Sequence, residues 1–531
     1  MAKSEEGWDA SRSAAGEHSP WLIAGIISIA TFMEVLDTSI ANVALRHIAG
    51  SLAASTDEST WVITSYLVAN AAVLPVSGWL SGVVGRKRFY MFSVALFTLS
   101  SLACGLAPSL PWLIVARVLQ GVGGGGLAPS EQSMLADSFP PSKRAKAFAI
   151  YGVTIIVAPA LGPTIGGWIT ENISWHWIFF LNVPVGMASL SLVYFFVDEP
   201  EKIVQERKER TRNGIRVDWA GVVLVALFLG CLEVVLDKGQ EDDWFSSTFI
   251  ASFALVSGLA FVCFIPWELT RIDPVVDLKL LGHRQFALSC AVMLAMGAVI
   301  FSTTQIIPQL LQESFSYDAT TAGLALMPGG LCALVTVVMA GRLSSVLQPK
   351  YLMTGAFCVI AISMYRFTGL TPQVSFGWVA FERAIQMSAM PFLFIPVTAV
   401  SYIGLPPDKS GEASSLINVA RNLGGSIGVA MAQTLLARRE QFHQTRLAEH
   451  ISSTSQAYVA AAKQLASHFM SYGLGAADAQ RRAMAAIGQT ITSQVALLSY
   501  IDVFAILALL GACMAPIPLL LQSTKGKAGA A

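Results

Sequence analysis

Along the chain, windows of about 20 predominantly apolar residues alternate with shorter polar segments. They fall near residues 21–44, 61–84, 89–107, 111–134, 147–169, 177–197, 217–237, 248–268, 286–309, 320–341, 351–370, 376–403, 412–436 and 496–521. A hydrocarbon core about 30 Å thick is crossed by about 20 helical residues, so each window is long enough to span it. In lipid only helices or closed barrels satisfy every backbone hydrogen bond, and runs of this length with so little strict alternation are helical. The pattern predicts an all-α polytopic protein with fourteen transmembrane helices. It also sets out a polar tail (1–20), a first group of six spans (21–200), and a linker with two more spans (201–270). A second group of six (271–522) and a short tail (523–531) complete it.

Composition agrees with lipid as the solvent. Of 531 residues, 54% are hydrophobic and 13% charged, and mean hydropathy is +0.60, whereas soluble chains carry roughly 25% charged residues. Net charge is zero, with 34 basic and 34 acidic residues, which offers nothing to a nucleic acid. The seven cysteines all sit in apolar windows without C-x-x-C spacing, so neither a disulfide framework nor a metal site is expected. The first 20 residues mix both charge signs and do not resemble a cleaved signal peptide, so the first span is expected to stay in the mature protein.

Lys and Arg cluster at 86–88, at 143, 144 and 146, and between 202 and 216. The excess of basic residues on cytoplasmic loops then predicts that both termini are cytoplasmic. The one large outside segment, 437–495, is mixed polar and apolar and is expected to fold into short amphipathic helices. The two groups of spans echo each other. Arg117-Val118-Leu119-Gln120 in span four matches Arg383-Ala384-Ile385-Gln386 in span twelve, and Gly78-Trp79-Leu80 closing span two matches Gly341-Arg342-Leu343 closing span ten. A repeat of six-helix units, with spans seven and eight inserted, predicts a binding site between the halves near the midplane.

Ionisable residues within hydrocarbon are costly and point to function. Span one carries Glu34 and Asp37, spaced i, i+3 and so on one helix face. Span four carries Arg117, span eleven Arg366, span twelve Glu382 and Arg383, and span thirteen Arg421. A carboxylate such as Asp37 opposite an arginine can load and release protons; the alternative is a structural ion pair between spans one and four. Glu34 is a second transport candidate or a polar group facing a water-filled cavity. Glu382 and Arg383 point to different sides of their helix, consistent with structural or gating roles. Asp218, Glu233 and Asp237 are placed near the ends of span seven, at the interface.

Two motifs fail their context tests. Gly121 to Gly126 matches the dinucleotide fingerprint without a preceding strand, and Gly424-Gly425-Ser426-Ile427-Gly428 matches a nucleophile elbow inside an apolar helix. Small residues at four-residue spacing instead predict close helix packing. In Ala158-Pro159-Ala160-Leu161-Gly162-Pro163, two prolines remove backbone donors and bend span five, with Gly166 and Gly167 beside the bend.

Further stretches carry a resemblance. They are Leu36 to Leu45 (LDTSIANVAL), Trp61 to Tyr66 (WVITSY), Arg117 to Gly121, Gly162 to Gly167, and Trp177 to Pro184 (WIFFLNVP). Asp243 to Ser247, Pro308 to Gln312, and Gly411 to Leu416 with Asn418 follow. With these, residues 21–522 resemble the major facilitator superfamily, in its branch of 14-span drug:proton antiporters of the EmrB/QacA type. The resemblance implies two pseudo-symmetric six-helix bundles and no cofactor. It implies export of hydrophobic or amphipathic small molecules from the cytoplasm across the bacterial inner membrane, in exchange for protons. It further implies proton coupling at Asp37 and Arg117 and an antiporter kink at Pro159, Gly162, Pro163, Gly166 and Gly167; Glu34 joins the proton-coupling candidates by its place on the Asp37 face of span one. Gly78, Gly85, Arg86, Gln120, Gly121, Arg383, Gln386 and Arg421 are the candidate conformational or gating positions. A periplasmic membrane-fusion adaptor and an outer-membrane channel are the implied partners, with segment 437–495 as the docking element.

The chain departs from the superfamily pattern where Gly82 and Val83 replace a charged pair before Gly85-Arg86-Lys87, where Arg46 stands in place of proline, and where Met387 stands at the repeat position of Gly121. Competing readings are an importer or facilitator, an exporter of one metabolite working without an adaptor, and a membrane enzyme or lipid flippase. The enzyme reading lacks any ligand cluster or phosphate loop in a suitable context.

Overall fold

The computed structural model describes residues 19–199, 218–271, 273–315, 317–406, 409–449 and 455–522, and these are helical with short connections. The tail before residue 19, nearly all of the basic linker 201–217 and the tail from 523 lie outside the described residues. The first half comprises α1 (Pro20–Ser51), α2 (Thr56–Val84), α3 (Arg86–Gly105), α4 (Leu110–Gly124), α5 (Leu127–Ser138), α6 (Pro141–Asn172), α7 (Trp177–Phe180) and α8 (Asn182–Phe196). The inserted pair is α9 (Trp219–Lys238) and α10 (Thr248–Thr270). The second half runs through α11 (Arg284–Phe315), α12 (Ala319–Val346), α13 (Pro349–Phe367), α14 (Phe376–Ala389), α15 (Pro391–Ser401) and α16 (Ser410–Ala448), then α17 (Gln456–Ser471) and α18 (Ala476–Met514).

Helices stand at all fourteen places where the apolar windows predict them. Among the described residues, eleven are long and apolar enough to cross a membrane by themselves, or twelve when the bent α6 is counted. The helices α13 and α16 fall short of that measure. The first carries Lys350 and Arg366 near its ends; the second is diluted by serines, glycines and charged residues along its 39 positions.

Local chemistry starts these helices. At α2, Ser55 Oγ accepts from Glu58 N (3.2 Å) while the Glu58 carboxylate accepts from Ser55 N (2.8 Å), a reciprocal capping box. Asp218, Asp318 and Ser375 cap α9, α12 and α14. Prolines in the first turn begin α1, α4, α6, α13 and α15, where their missing N–H costs nothing.

The packing repeats. In the first half α1 lies on α6, α2 on α4 and α3 on α8; in the second, α11 lies on α16, α12 on α14 and α13 on α18. Glycine permits the close pairs. A Cβ added at Gly428 would fall 2.5 Å from Ala298 Cα, and one at Gly424 would fall 2.7 Å from the Leu294 carbonyl carbon, so α16 and α11 touch backbone to backbone. Gly123 packs equally tightly against Phe97 of α3, and Gly125 against Asn70 of α2. The glycine run also breaks span four into α4 and α5 at Gly125 and Gly126. These contacts account for both misleading motifs.

The first half of α6 (Lys143–Pro159) and its end (Thr164–Asn172) are inclined by 46°. Pro163 has no N–H for the carbonyl of Pro159, four residues earlier. Ser39 of α1 fills the gap, its hydroxyl donating to Pro159 O at 3.2 Å. Beside it Gly162 lies against Ser39 and Gly166 against Ile40, so the bend is seated on α1. Gly167 sits between α12 and α1, its nearest neighbours being Thr320 and Val43.

Segment 437–495 differs from expectation. Instead of short separate helices, α16 runs on to Ala448 and α18 starts at Ala476, and among the described residues α17 is the one independent helix between them. At 1.5 Å per residue each 39-residue helix is about 58 Å long, roughly twice the hydrocarbon thickness. Polarity changes at residue 437 but helix propensity does not, because Ala, Arg, Glu, Gln and Leu continue the helix. Asp502, in the apolar part of α18, ties the extension of α16 to that helix, bonding Arg439 Nε at 2.6 Å and His443 Nε2 at 2.7 Å.

Candidate functional site

Asp37 is fully enclosed between four spans. Its Oδ2 accepts from Arg117 Nη1 at 2.6 Å; its Oδ1 accepts from Asn182 Nδ2 at 2.6 Å and Gln120 Nε2 at 3.0 Å. Arg117 is held in turn, with Nε donating to Val62 O of α2 (2.9 Å) and Nη1 to Gln120 Oε1 (2.8 Å). Its guanidinium also lies 4.4 Å from the centroid of the Tyr66 ring. Ser101 of α3 ties Gln120 (3.0 Å) to Asn182 (2.8 Å) and anchors itself on Phe179 O. The groups around the pair come from α2, α3 and α8 as well as from α4 itself, so the carboxylate reads the relative position of α1, α2, α3, α4 and α8.

Glu34, one turn earlier on α1, points elsewhere. It is partly accessible, and its Oε1 accepts from Tyr66 OH and Asn70 Nδ2, both at 3.2 Å. Asn70 continues to Asn422 of the other half at 3.4 Å, and Arg421 beside it lies within electrostatic reach of Glu34. Arg421 Nη1 is buried without a hydrogen-bond partner. Glu34, Asn70, Arg421 and Asn422 thus meet between the halves, while Asp37 and Arg117 are sealed inside the first half. Gly121 supports this corner by letting α4 approach the Tyr66 carbonyl and Ala69.

The second half repeats the arginine site without the acid. Arg383 Nη1 donates to Thr303 Oγ1 (2.9 Å) and to Gln386 Oε1 (2.7 Å), and Gln386 Nε2 donates to Thr303 Oγ1 (2.8 Å). Asp37, Arg117 and Gln120 are therefore matched by Thr303, Arg383 and Gln386, each 266 positions later. The neighbouring Glu382 turns away to Arg366 of α13 at 2.6 Å, a structural pair.

The remaining candidates lie at the end where α2 turns into α3. Gly85 makes that turn with φ +103°, a conformation suited to glycine. Arg86 pairs with Asp137 at the end of α5 and donates to Ser410 Oγ (2.8 Å), the first residue of α16. Ser410 also donates to Asp137 (3.1 Å). A charge clasp therefore exists although Gly82 and Val83 carry no charge. Gly78 lets α2 touch the α16 backbone, where an added Cβ would lie 2.6 Å from Gly411 O. Among the described residues, hydrogen bonds between the halves gather toward this end, at Arg86–Ser410, Ser415–Pro75 and Gln132–Asn418.

Residues 27–429 match the profile of the Major Facilitator Superfamily. The multidrug export protein EmrB of Haemophilus influenzae is 40% identical over 427 residues, covering 80% of this chain and 82% of that protein. The chain belongs to the major facilitator superfamily. Also similar are the multidrug export protein EmrB of Escherichia coli K12, 39% identical with 90% of each chain covered, and the fatty acid resistance protein FarB of Neisseria gonorrhoeae, 36% identical over 90% of this chain and 91% of that one. Among solved structures, the proton:xylose symporter XylE superposes with a TM-score of 0.61 over 95% of this chain and 96% of that one. At 15% identity this likeness concerns the fold. Membership of this superfamily makes the chain a multi-pass membrane transporter.

Several polar residues escape a reading of this superfamily chain by charge alone. Asn182 and Ser101 are neutral, and only the fold brings spans three and six to Asp37. Glu131 lies within span four yet is easily passed over beside the glycine run. It is fully buried, with Oε1 accepting from the Thr31 backbone N (3.1 Å) and from Tyr90 OH (3.3 Å). An acid inside an apolar window was the available signal. Glu233 also departs from expectation. It is buried in the body of α9, bonded to Ser426 of α16, because α9 packs against both halves instead of facing headgroups.

The Asp37 geometry makes a stability prediction. Asp37→Ala strands Arg117 as a buried unpaired charge and is expected to cost about 3–5 kcal/mol. Asp37→Ala with Arg117→Met removes both charges and is expected to recover most of that loss, as read by thermal melting in nanodiscs. Equal destabilisation by the single and double replacements would contradict the pairing.

Proposed function

We propose that this chain is a proton-driven exporter of hydrophobic or amphipathic small molecules, crossing a bacterial inner membrane fourteen times with both termini cytoplasmic. The observation that carries the reading is Asp37, a carboxylate sealed inside the first half and held by Arg117, Gln120 and Asn182. The names of the relatives, multidrug export and fatty acid resistance, support amphipathic cargo. The orientation rests on the basic turns at 86–88 and 143–146.

A proton arriving on Asp37 Oδ2 neutralises the acid and ends its ion pair with Arg117. Arg117 keeps Val62 O and Gln120, so the change falls on α1. That helix carries Ser39, which supports the bend of α6, and α6 packs against α12 of the other half. Protonation at Asp37 is thereby linked to the contact between the halves. Cargo meets Glu34, Asn70, Arg421 and Asn422 between them, where an acid and a base offer complementary attachment to polar ends of greasy molecules.

The test is paired measurement of proton and substrate flux in proteoliposomes under an imposed pH gradient. Asp37→Asn is expected to retain cargo binding and cargo exchange but lose gradient-driven accumulation. Arg117→Lys is expected to show a milder defect, since lysine lacks the planar fork. Glu34→Gln is expected to impair cationic cargo and spare neutral cargo. Undiminished accumulation by the Asp37→Asn protein would contradict the assignment.

The helical extension formed by the end of α16, α17 and the start of α18 supports docking of a periplasmic adaptor that leads to an outer-membrane channel. Shortening the segment between 445 and 490 is then expected to spare transport in proteoliposomes and abolish drug resistance in cells. Equal loss in both assays would mean misfolding and no docking role.

A further inference from the structure

The inserted helix α9 lies along the seam between the halves, and its carboxylates reach both sides. Thr64 of α2 donates to Asp237, Lys238 Nζ donates to Thr60, and Gly230 packs against Val68, so α9 is fastened to the first half. Four residues before Asp237, Glu233 faces α16. Ser426 Oγ lies 2.8 Å and 2.9 Å from its two oxygens and 3.3 Å from the Asn422 carbonyl. The helices it joins, α2 and α16, are in direct contact across the seam at Asn70–Asn422 and Ser415–Pro75.

Counting protons decides what this contact favours. Ser426 has one hydroxyl proton, and Glu233 has no lysine or arginine in ion-pair contact among the described residues. If Glu233 is ionised, Ser426 gives its proton to one oxygen and leaves a buried charge with a single neutral donor. If Glu233 is protonated, its O–H donates to Ser426 Oγ and Ser426 donates to Asn422 O, so every proton finds an acceptor. The other charged or titratable groups on the elements packed here are Asp237, Lys238 and Cys231 on α9 itself; Asp57, Glu58 and Tyr66 on α2; Glu268 and Cys263 on α10; and Glu412, Arg421, Arg438, Arg439, Glu440, His443 and Arg446 on α16. Tyr66 is engaged with Glu34, and Arg439 and His443 with Asp502.

We propose that Glu233 is a second proton-responsive positioning residue: protonated, it ties α9 and the first half to α16; ionised, it releases that seam. The inserted pair then acts as a tether whose breakable link is Glu233–Ser426. A proton taken from the aqueous phase closes the link, and its return to water opens it. This rests on the proton-coupled reading above, but on a different carboxylate and a different observable.

The test uses the full chain in proteoliposomes with ethidium as cargo, shifting internal and external pH together at constant gradient. Glu233→Gln is expected to keep gradient-driven transport while flattening the dependence of its rate on absolute pH. Ser426→Ala is expected to move the midpoint of that dependence by about 0.5–1 pH unit in the parent protein and to add nothing to Glu233→Gln. A parental pH profile in Glu233→Gln, or equal Ser426→Ala effects in both backgrounds, would overturn the tether. Should Glu233→Gln fail to yield monodisperse protein, the Ser426→Ala shift decides alone, and its absence overturns the proposal. Accumulation surviving in Asp37→Asn with the Glu233-dependent profile intact would remove the coupling role of Asp37 and leave the tether standing.

Discussion

Two opposite charges enclosed among lipid-embedded helices are tolerated only if nearly every lone pair and proton is answered. The Asp37–Arg117 pair approaches that condition by recruiting Gln120, Asn182, Ser101 and the Val62 carbonyl, while Arg117 Nη2 has no hydrogen-bond partner and the guanidinium lies over the Tyr66 ring. The requirement shapes the first half. It brings α1, α2, α3, α4 and the start of α8 to one point, and it makes their spacing sensitive to one proton. The same α1 carries Ser39 to the orphaned Pro159 carbonyl, so the acid and the bend of α6 share a backbone. Glycines at 162 and 166 allow that contact.

The second half shows what the fold does without the acid. Thr303 takes the place of Asp37 and receives the same two hydrogen bonds, from Arg383 and Gln386. The architecture of the arginine site is therefore common to both repeats, whereas a titratable partner is present only in the first. Duplication supplied the scaffold, and a single side-chain difference makes the halves chemically unequal. The space between them inherits this asymmetry, with Glu34 contributed by one half and Arg421 by the other.

Much of this was legible in the sequence because lipid leaves few choices. Apolar windows of about 20 residues mark the helices, prolines 159 and 163 mark the bend, and small-residue spacing at 424 and 428 marks backbone contact. The Arg-x-x-Gln pairs at 117 and 383 expose the repeat. What was not legible depended on tertiary neighbours or on properties that polarity does not encode. Asn182 and Ser101 are unremarkable until α3 and α8 converge on Asp37. The clasp at Arg86 uses Asp137 and Ser410, from distant parts of the chain, in place of acids in its own loop. The extensions of α16 and α18 follow helix propensity past the point where hydrophobicity ends. Glu233 looked interfacial by its distance from a helix end, yet α9 is wedged where both of its carboxylates find hydroxyl donors.

The central claim is that Asp37 itself gains and loses a proton during transport. Infrared difference spectroscopy of the reconstituted protein across a pH step reads the carbonyl stretch of a protonated carboxylic acid. The account predicts a band that is absent in Asp37→Asn and that loses intensity when cargo is added to the parent protein. A spectrum unchanged by Asp37→Asn would contradict it.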